Sequence, residues 1–296
     1  VGTGDGLVEY DPSGTGEGLS NTDQETADEE TEGSMLQWKL HFSYSDPQEI
    51  AATPHAIYAA ANGSLFSVDR EDEHIDYWNK STGLHGSSVT HIAYDKKTDQ
   101  LIIAYENGQI DLMNSQGRVS QMPDISLKAG TIDVTINDIC TGSRYTYLAM
   151  PFGILAINPK KAEIGETYYI GTNAAAIAVQ HVIEWRDTLY AFSYDKLYKA
   201  SLRDNLVDYT YWQSESLPCE MVQKALVCYD RLYTLQHDSI YRYVNGTWQQ
   251  VRPEPYAWIA ANDDKLLAYH AQNGLYALDK EDQLSGLSNL SIFTTL

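Results

Sequence analysis

Residues 101–114 read LIIAYENGQIDLMN, and their pattern is the clearest indication of the fold in the sequence. An apolar run, 101–105, is followed by Asn107 and Gly108 and then by a second apolar run that ends in Asn114. Asn-Gly between two such runs is the strongest short-range signal of a tight β-hairpin, because the turn needs residues that accept a positive φ. The stretch therefore predicts two antiparallel strands joined by a short turn.

The same hairpin pattern recurs along the chain, and self-similarity at a fixed period is the signature of a repeat architecture. Seven copies are recognised, at residues 1–11, 57–69, 101–114, 147–158, 189–201, 232–244 and 266–279. Strand-like stretches lie before and after the hairpins, such as VTHIAYD at 89–95 and LVDYTYWQS at 206–214. Each unit then supplies four strands, which is the make-up of a β-propeller blade.

We therefore predict an all-β fold, a seven-bladed β-propeller of four-stranded antiparallel blades closed by one blade shared between the N- and C-terminal ends. Residues 1–12 give the N-terminal hairpin of that closing blade, 36–44 its outer strand and LSIFTTL, 290–296, its inner strand. Residues 13–34 are acidic and poor in apolar side chains, which predicts a flexible linker. Residues 35–296 form the remainder of the single propeller domain.

The composition favours a globular β protein and excludes several partners. Of its 296 residues 43% are hydrophobic, and 22 Tyr stand against 5 Phe, which suits half-buried positions on sheets. The formal net charge is −21, so the surface repels phosphate groups, and we predict no nucleic-acid partner. The sequence has no long apolar run, which predicts no membrane insertion.

The sequence offers no recognisable catalytic, metal or cofactor motif. Nucleophile-elbow, HExxH and phosphate-loop patterns are missing, and Cys140, Cys219 and Cys228 lack the spacing of a zinc site. DREDEH at 69–74 is interpreted as a solvated turn. We predict no catalytic residue, no metal and no cofactor. Glycoside cleavage would require two carboxylates brought together from different blades, and the sequence leaves this alternative open.

Three stretches resemble the N-terminal propeller of PorZ-type proteins of Bacteroidetes. They are WKLHFSYSDPQEIA at 38–51, the run from NGSLFSVD to QIDLM at 62–113, and TINDICTGSRYTYLAMPFGILAINPKKAEIGETYYIG at 135–171. The opening, VGTGDGLVEYDPSG at 1–14, is similar to the two-component-regulator propeller repeat of periplasmic sensors. Both resemblances imply a noncatalytic propeller outside the cytoplasm.

The PorZ resemblance implies a cell-envelope binding or assembly module that takes part in type IX secretion and in cargo attachment at the cell surface. Its implied partner is an envelope protein or polysaccharide, lipopolysaccharide included, and its implied location is periplasmic or at the cell surface. The first residues lack the charged-then-apolar pattern of a signal peptide, so we expect a soluble chain or a mature form whose export signal has been removed. The alternatives are the extracellular ligand-sensing propeller of a hybrid two-component system and a propeller glycosidase or lyase.

The candidate binding residues follow from propeller geometry. The hairpin turns and the connections from each outer strand to the next inner strand lie on one face, and exposed aromatic side chains beside polar groups suit sugar or peptide recognition. The predicted ligand-binding residues on that face are Phe152, Tyr194, His237, His85, Tyr256 and Trp258.

Overall fold

Strand pairing organises the described residues into seven sheets. The structure is a computed structural model that describes residues 7–9, 39–41, 47–261 and 265–288. Strands β1 (Leu7–Glu9) and β2 (Lys39–His41) pair with each other in an antiparallel two-stranded sheet. The other strands form six four-stranded antiparallel sheets, which are the blades of a β-propeller.

Each blade is an antiparallel meander in which chain order equals spatial order. Blades 1 and 2 contain β3 (Pro47–Ala52), β4 (Ala56–Ala61), β5 (Ser64–Asp69), β6 (Ile75–Trp78), β7 (Val89–Asp95), β8 (Gln100–Tyr105), β9 (Ile110–Asn114) and β10 (Val119–Met122). Blades 3 and 4 contain β11 (Asp138–Thr141), β12 (Thr146–Met150), β13 (Gly153–Asn158), β14 (Glu163–Tyr168), β15 (His181–Trp185), β16 (Thr188–Phe192), β17 (Lys196–Ser201) and β18 (Gln213–Ser216). Blades 5 and 6 contain β19 (Val222–Cys228), β20 (Arg231–Gln236), β21 (Ser239–Val244), β22 (Thr247–Arg252), β23 (Trp258–Ala261), β24 (Leu266–His270), β25 (Gly274–Leu278) and β26 (Leu284–Ser288).

The all-β class and the four-stranded antiparallel blades are confirmed, but the predicted number of seven blades, with one shared by the chain ends, is wrong: the described residues form six. The excess blade came from the hairpin pattern at 1–11. In the described residues Leu7–Glu9 pairs with Lys39–His41, as the predicted place of 36–44 beside the N-terminal hairpin required, but this sheet has two strands and not four. A Gly-Asp-Gly turn signal is local and does not determine whether its strands gain the further partners of a full blade. The predicted linker, 13–34, and the predicted inner strand, 290–296, lie outside the described residues.

The other six predicted hairpins are the central strand pairs of the six blades. At the first of them, Asn62 and Gly63 have φ values of 48° and 77°, the left-handed backbone that an Asn-Gly turn was expected to need. At the second and sixth hairpins Gly108 and Gly274 take φ values of 77° and 92°. Glycine adopts this region without a Cβ penalty, so these positions reverse the chain at low cost.

The hydrophobic core lies between blades. Five apolar clusters fill the five junctions between successive blades, from blades 1 and 2 to blades 5 and 6. Large side chains such as Tyr105, Tyr147 and Tyr233 are fully buried there. Burial of an apolar side chain contributes about 1.5–3 kcal/mol relative to exposure, so blade stacking is the main source of stability.

In the described part of the chain, the first and last blades each have one sheet face with partly exposed apolar side chains. On blade 1, Ile50, Ile75 and Tyr77 are 66%, 46% and 50% exposed, and on blade 6 Trp258 and Leu287 are 43% and 46% exposed. These side chains lie on the faces that point away from blades 2 and 5, and Trp258, the first residue of β23, lies at the end of its face next to the hairpin turns. They mark the two ends of the row of described blades.

Across residues 47–261 and 265–288, helical structure is confined to single 3₁₀ turns between strands. They span Lys80–Thr82, Ser126–Lys128, Thr172–Ala174 and Tyr209–Tyr211. In the described part of the chain, no helix has the length and apolar character needed to cross a membrane.

Candidate ligand-binding face

One face of the propeller is formed by hairpin turns and blade-to-blade connections that contact each other. The Val89 amide donates to the Gly63 carbonyl at 2.8 Å, the Met221 amide to the Tyr194 carbonyl at 2.8 Å, and the Tyr256 amide to the Asp238 carbonyl at 2.8 Å. We call this the hairpin-turn face. The opposite side, with the turns between the first and second and between the third and fourth strands, is called the reverse face.

Phe152 occupies the hairpin turn of blade 3. It is half-buried against the cluster between blades 2 and 3, and its ring centroid lies 6.0 Å from that of Tyr169, with the planes tilted by 40°. Tyr169 follows β14 and is 44% exposed. The two rings form an aromatic surface of which Tyr169 is the more accessible part.

Tyr194 lies at the tip of the blade 4 hairpin and is 53% exposed. Its hydroxyl donates to Glu220 Oε2 at 2.8 Å, across to the connection that leads into blade 5. This hydrogen bond to a carboxylate raises the pKa of the Tyr194 phenol above its usual value of 10.0. Met221, next to Glu220, is 59% exposed, so the junction presents an aromatic ring, a carboxylate and a thioether together.

His237 lies at the blade 5 hairpin tip, exposed and with a φ of 43°. Its neighbour Asp238 is held from both sides by Gln223. The Gln223 amide nitrogen donates to Asp238 Oδ1 at 2.7 Å, and the Asp238 backbone amide donates to Gln223 Oε1 at 2.8 Å. The turn is fixed in this way while the imidazole faces solvent.

His85 precedes blade 2 and is tied to a buried carboxylate. Asp111 is completely buried and accepts hydrogen bonds from the His85 backbone amide at 2.7 Å and from the Tyr105 hydroxyl at 2.7 Å. His85 Nδ1 lies 3.1 Å from the other carboxylate oxygen. Burial and the nearby carboxylate raise the pKa of Tyr105, which stays a neutral donor. His85 therefore anchors its loop through this network and exposes part of its ring.

The last two predicted residues differ in exposure. Tyr256 is buried in the cluster between blades 5 and 6, where its ring packs edge-on against His270, and burial raises its pKa to about 12. Trp258 is 43% exposed and stacks on Tyr269, with centroids 6.1 Å apart and planes 24° apart. Trp258 thus offers a ring to a ligand, whereas Tyr256 supports the loop beneath it.

Sequence reasoning missed the partners of these residues. Tyr169, Glu220, Met221 and Tyr269 supply much of the exposed chemistry beside the predicted residues. The alternation of side chains along a strand offered a signal for one of them, since Tyr168 is buried and the next residue, Tyr169, points outward. The pairing of Tyr194 with Glu220 depends on a connection 26 residues further on and leaves no local pattern.

Two carboxylates on inner strands are engaged by the next blade in the same way. Glu49 accepts from the Ile92 amide at 2.9 Å and lies 2.7 Å from His91 Nδ1. Asp138 accepts from the Val182 amide at 3.2 Å and lies 3.2 Å from His181 Nδ1. Burial acts to raise the pKa of Asp138, but the hydrogen bonds and charges of its neighbours, His181 first, hold it below its usual value. These groups link inner strands of successive blades.

The described residues contain no group of three or more His, Cys, Asp or Glu side chains able to hold a metal ion. Cys140, Cys219 and Cys228 are free thiols. The polar chemistry of the hairpin-turn face consists of hydroxyl, imidazole, carboxylate and aromatic groups, which recognise sugars and polypeptides through hydrogen bonds and ring contacts.

The described residues thus form a six-bladed β-propeller with aromatic and polar side chains on its hairpin-turn face. The family model for "TSS9, PorZ, N-terminal beta-propeller domain" matches residues 57–213, more than half of the chain. The chain belongs to this family of PorZ N-terminal β-propeller domains.

Solved structures carry the same fold. PorZ of Porphyromonas gingivalis, an essential bacterial surface component of the type IX secretion system, is 27% identical, with a TM-score of 0.69 over 81% of this chain and 32% of that one. The extracellular domain of a putative hybrid two-component system from B. thetaiotaomicron is 14% identical, with a TM-score of 0.61 over 82% of this chain and 36% of that one. The chain thus spans about a third of either protein. No curated protein matches it.

Proposed function

We propose that this propeller is a noncatalytic recognition module of the bacterial cell envelope that captures a polysaccharide or a protein partner on its hairpin-turn face. The observation that carries the proposal is the set of exposed rings on that face, Tyr169, Tyr194 and Trp258, in a PorZ-family propeller. Each ring is backed by a neighbouring group that fixes its orientation. Rigid aromatic surfaces with adjacent hydrogen-bonding groups bind at a low cost in conformational entropy.

The family relationship supports a location in the periplasm or at the cell surface, since PorZ is a surface component of type IX secretion. The finer part of the proposal is that the module helps to attach secreted cargo at the surface, with lipopolysaccharide or an envelope protein as its partner. Its acidic charge suits a partner whose contacts are hydroxyl groups and apolar sugar faces rather than phosphates.

The noncatalytic part of the proposal is supported by the hydrogen bonds of two carboxylates on inner strands, Glu49 and Asp138, and by the pKa of Asp138. A retaining or inverting glycosidase needs a carboxylic acid with a raised pKa opposite a second free carboxylate. The pKa of Asp138 is lowered instead, and Asp138 and Glu49 each bind the backbone and histidine of the next blade. Glycoside turnover by the purified chain that is abolished in Glu49→Gln would overturn this part.

A second candidate function is ligand sensing, favoured by the fold it shares with the extracellular domain of the hybrid two-component system. The two functions predict different flanking sequences in the full-length protein. A transmembrane helix followed by a kinase marks a sensor, whereas a second propeller and a secretion-signal domain mark the envelope module.

The binding proposal is tested by measuring capture of envelope lipopolysaccharide by the purified chain on a biosensor surface. His237→Ala and Tyr169→Ala should each weaken binding about fivefold or more, because ring and imidazole contacts at an interface contribute on the order of 1 kcal/mol each. Phe152 packs partly in the core, so Phe152→Leu is preferred to Phe152→Ala as its variant.

The matched control is Tyr77→Ala, a tyrosine of similar exposure on the outer strand of blade 1. It should bind as the wild type does. Equal loss of capture in Tyr77→Ala and Tyr169→Ala, or none in either, would show that the hairpin-turn face is not the binding face.

A further inference from the structure

A cleft of about 260 Å³ lies on the reverse face between blades 4 and 5. Its walls come from the β15–β16 turn, the β19–β20 turn and strand β21, and three of the eight arginines of the chain, Arg186, Arg231 and Arg242, line it. The chain as a whole carries a net charge of −21, so guanidinium groups converge here against the overall sign. A concave surface lined with one sign of charge concentrates ligands of the opposite sign.

Arg186 is held in place by an aromatic ring and a carboxylate. Its guanidinium carbon lies 4.6 Å from the centroid of the Trp185 ring, and its Nε and Nη2 donate to Asp230 Oδ2 at 3.0 and 2.7 Å. The Trp185 indole donates to the other Asp230 oxygen at 2.9 Å. These hydrogen bonds, from Arg186 first, hold the pKa of Asp230 below its usual value. Arg186 Nη1 takes no part in them and keeps its two N–H donors for a ligand.

The other wall carries two further guanidinium groups, those of Arg231 and Arg242. Arg231 Nη1 donates to the Lys280 carbonyl, a neutral acceptor, while Arg242 pairs with the Asp282 carboxylate. Within the described residues, Arg242 Nε is buried without an acceptor. Three guanidinium groups thus converge on the cleft, and Arg231, which hydrogen-bonds a neutral carbonyl through Nη1, lies near the carboxylates of Asp282 and Glu281.

We propose that this cleft binds a small oxyanion and that its ligand is the carboxylate of an acidic sugar residue. The guanidinium fork matches a carboxylate with two parallel hydrogen bonds. Asp230 and Asn245 also line the cleft, and their oxygens accept from sugar hydroxyls, which an inorganic phosphate ion does not offer. The volume is below that of drug-sized pockets and suits a single sugar unit. The site is independent of the hairpin-turn face, which lies on the other side of the propeller.

The test is a titration of the isotope-labelled full chain with sodium glucuronate, glucose and inorganic phosphate, followed by amide chemical shifts. Glucuronate should shift the resonances of Trp185, Asp230 and Asn245 in a saturable manner. Glucose should leave them unchanged at equal concentration, and phosphate should bind more weakly than glucuronate. Arg186→Gln and Arg231→Gln should each weaken glucuronate binding about tenfold or more, as expected for charge-assisted hydrogen bonds.

Arg144→Gln is the matched control. Arg144 is exposed in the equivalent turn of blade 3, and its guanidinium carbon lies 5.9 Å from the centroid of the Tyr145 ring, but it does not line the cleft. It should bind glucuronate as the wild type does. The melting temperature of each variant is compared with that of the wild type, and Arg186→Gln, whose side chain is exposed, carries the test if Arg231→Gln disturbs the packing against blade 6.

Three results would overturn the proposal. The first is the absence of saturable glucuronate shifts in the cleft, and the second is an equal response to glucose. The third is an equal loss of affinity in Arg144→Gln and Arg186→Gln, which would show a general surface-charge effect. Tighter binding of phosphate than of glucuronate would retain an oxyanion site but contradict the acidic sugar as its ligand.

Discussion

The hairpin-turn face and the reverse face are the two ends of the same strands, yet they carry different chemistry. The hairpin-turn face presents exposed rings, such as Tyr169 and Trp258, beside hydroxyl and imidazole groups. The reverse face presents ion pairs at short turns, with Arg186 bonded to Asp230 at 2.7 Å and Arg203 to Asp187 at 2.6 Å. Arg186 and Asp187, at one such turn, have φ values of 48° and 55°.

This difference indicates which residues of a repeat fold are available for function. The side chains between blades are committed to packing, so their identity is set by the core. Turn residues contribute little to that core and are free to differ from one end to the other. One end is therefore suited to sugars and polypeptides through aromatic contacts, and the other to anions through arginine.

The largest expected difference between the two faces is in how much a glycine substitution lowers the free energy of unfolding. Gly153, in the blade 3 hairpin turn, has a φ of 149°, and a Cβ there would lie 2.1 Å from the Tyr168 carbonyl oxygen. Gly246, in a reverse-face turn, has a φ of 83°, and a Cβ there would meet nothing within 4 Å. Gly153→Ala should lower the free energy of unfolding by about 3 kcal/mol or more, against about 1 kcal/mol for Gly246→Ala. Urea denaturation measures both, and equal losses would contradict the packing described for the hairpin turn.

Much of the blade could be predicted because its signals are local. The Asn-Gly turns of three hairpins and the apolar runs of all six specify strand, turn and strand without reference to the rest of the chain. The number of blades could not be obtained in this way. Residues 7–9 pair with residues 39–41, as expected of neighbouring strands, but in the described residues they form a two-stranded sheet, and a turn motif does not show whether a hairpin gains the further strands of a blade.

The second contrast is between a sequestered carboxylate and an exposed one. Asp138 is 14% exposed and bonds to the inner strand of blade 4, whereas Asp230 on the reverse face is 66% exposed in its pair with Arg186. Asp138→Asn should lower the free energy of unfolding at neutral pH by about 1–3 kcal/mol. Arg186→Gln should leave the melting temperature unchanged, because exposed ion pairs contribute little.

The pH dependence sharpens this second contrast. The pKa of Asp138 in the folded state is lowered from 3.8, so its contribution is present above pH 3.8 and is lost as the pH falls through the lower, folded-state pKa. In acid, the melting temperature of the wild type should therefore fall more steeply below pH 3.8 than that of Asp138→Asn. Parallel curves for the two proteins would show that the carboxylate makes no such contribution.

The candidate site could be predicted only in part, because some of its features depend on contacts between blades. Hairpin-tip positions such as Tyr194 and His237 could be placed on one face from the strand order alone, and both are exposed. The exposure of Tyr256 could not, because its burial depends on the neighbouring blade and on His270. The arginine cleft was missed because its residues come from two blades and share no sequence motif.

Hydrogen exchange of the chain bound to envelope lipopolysaccharide tests most directly the claim that the hairpin-turn face is the binding face. Backbone amides of the connections at 169–180 and 217–221 should exchange more slowly in the complex than in the free protein, because the ligand covers the loops that carry Tyr169 and Met221. A saturated complex in which these connections exchange as they do in the free protein would contradict the claim.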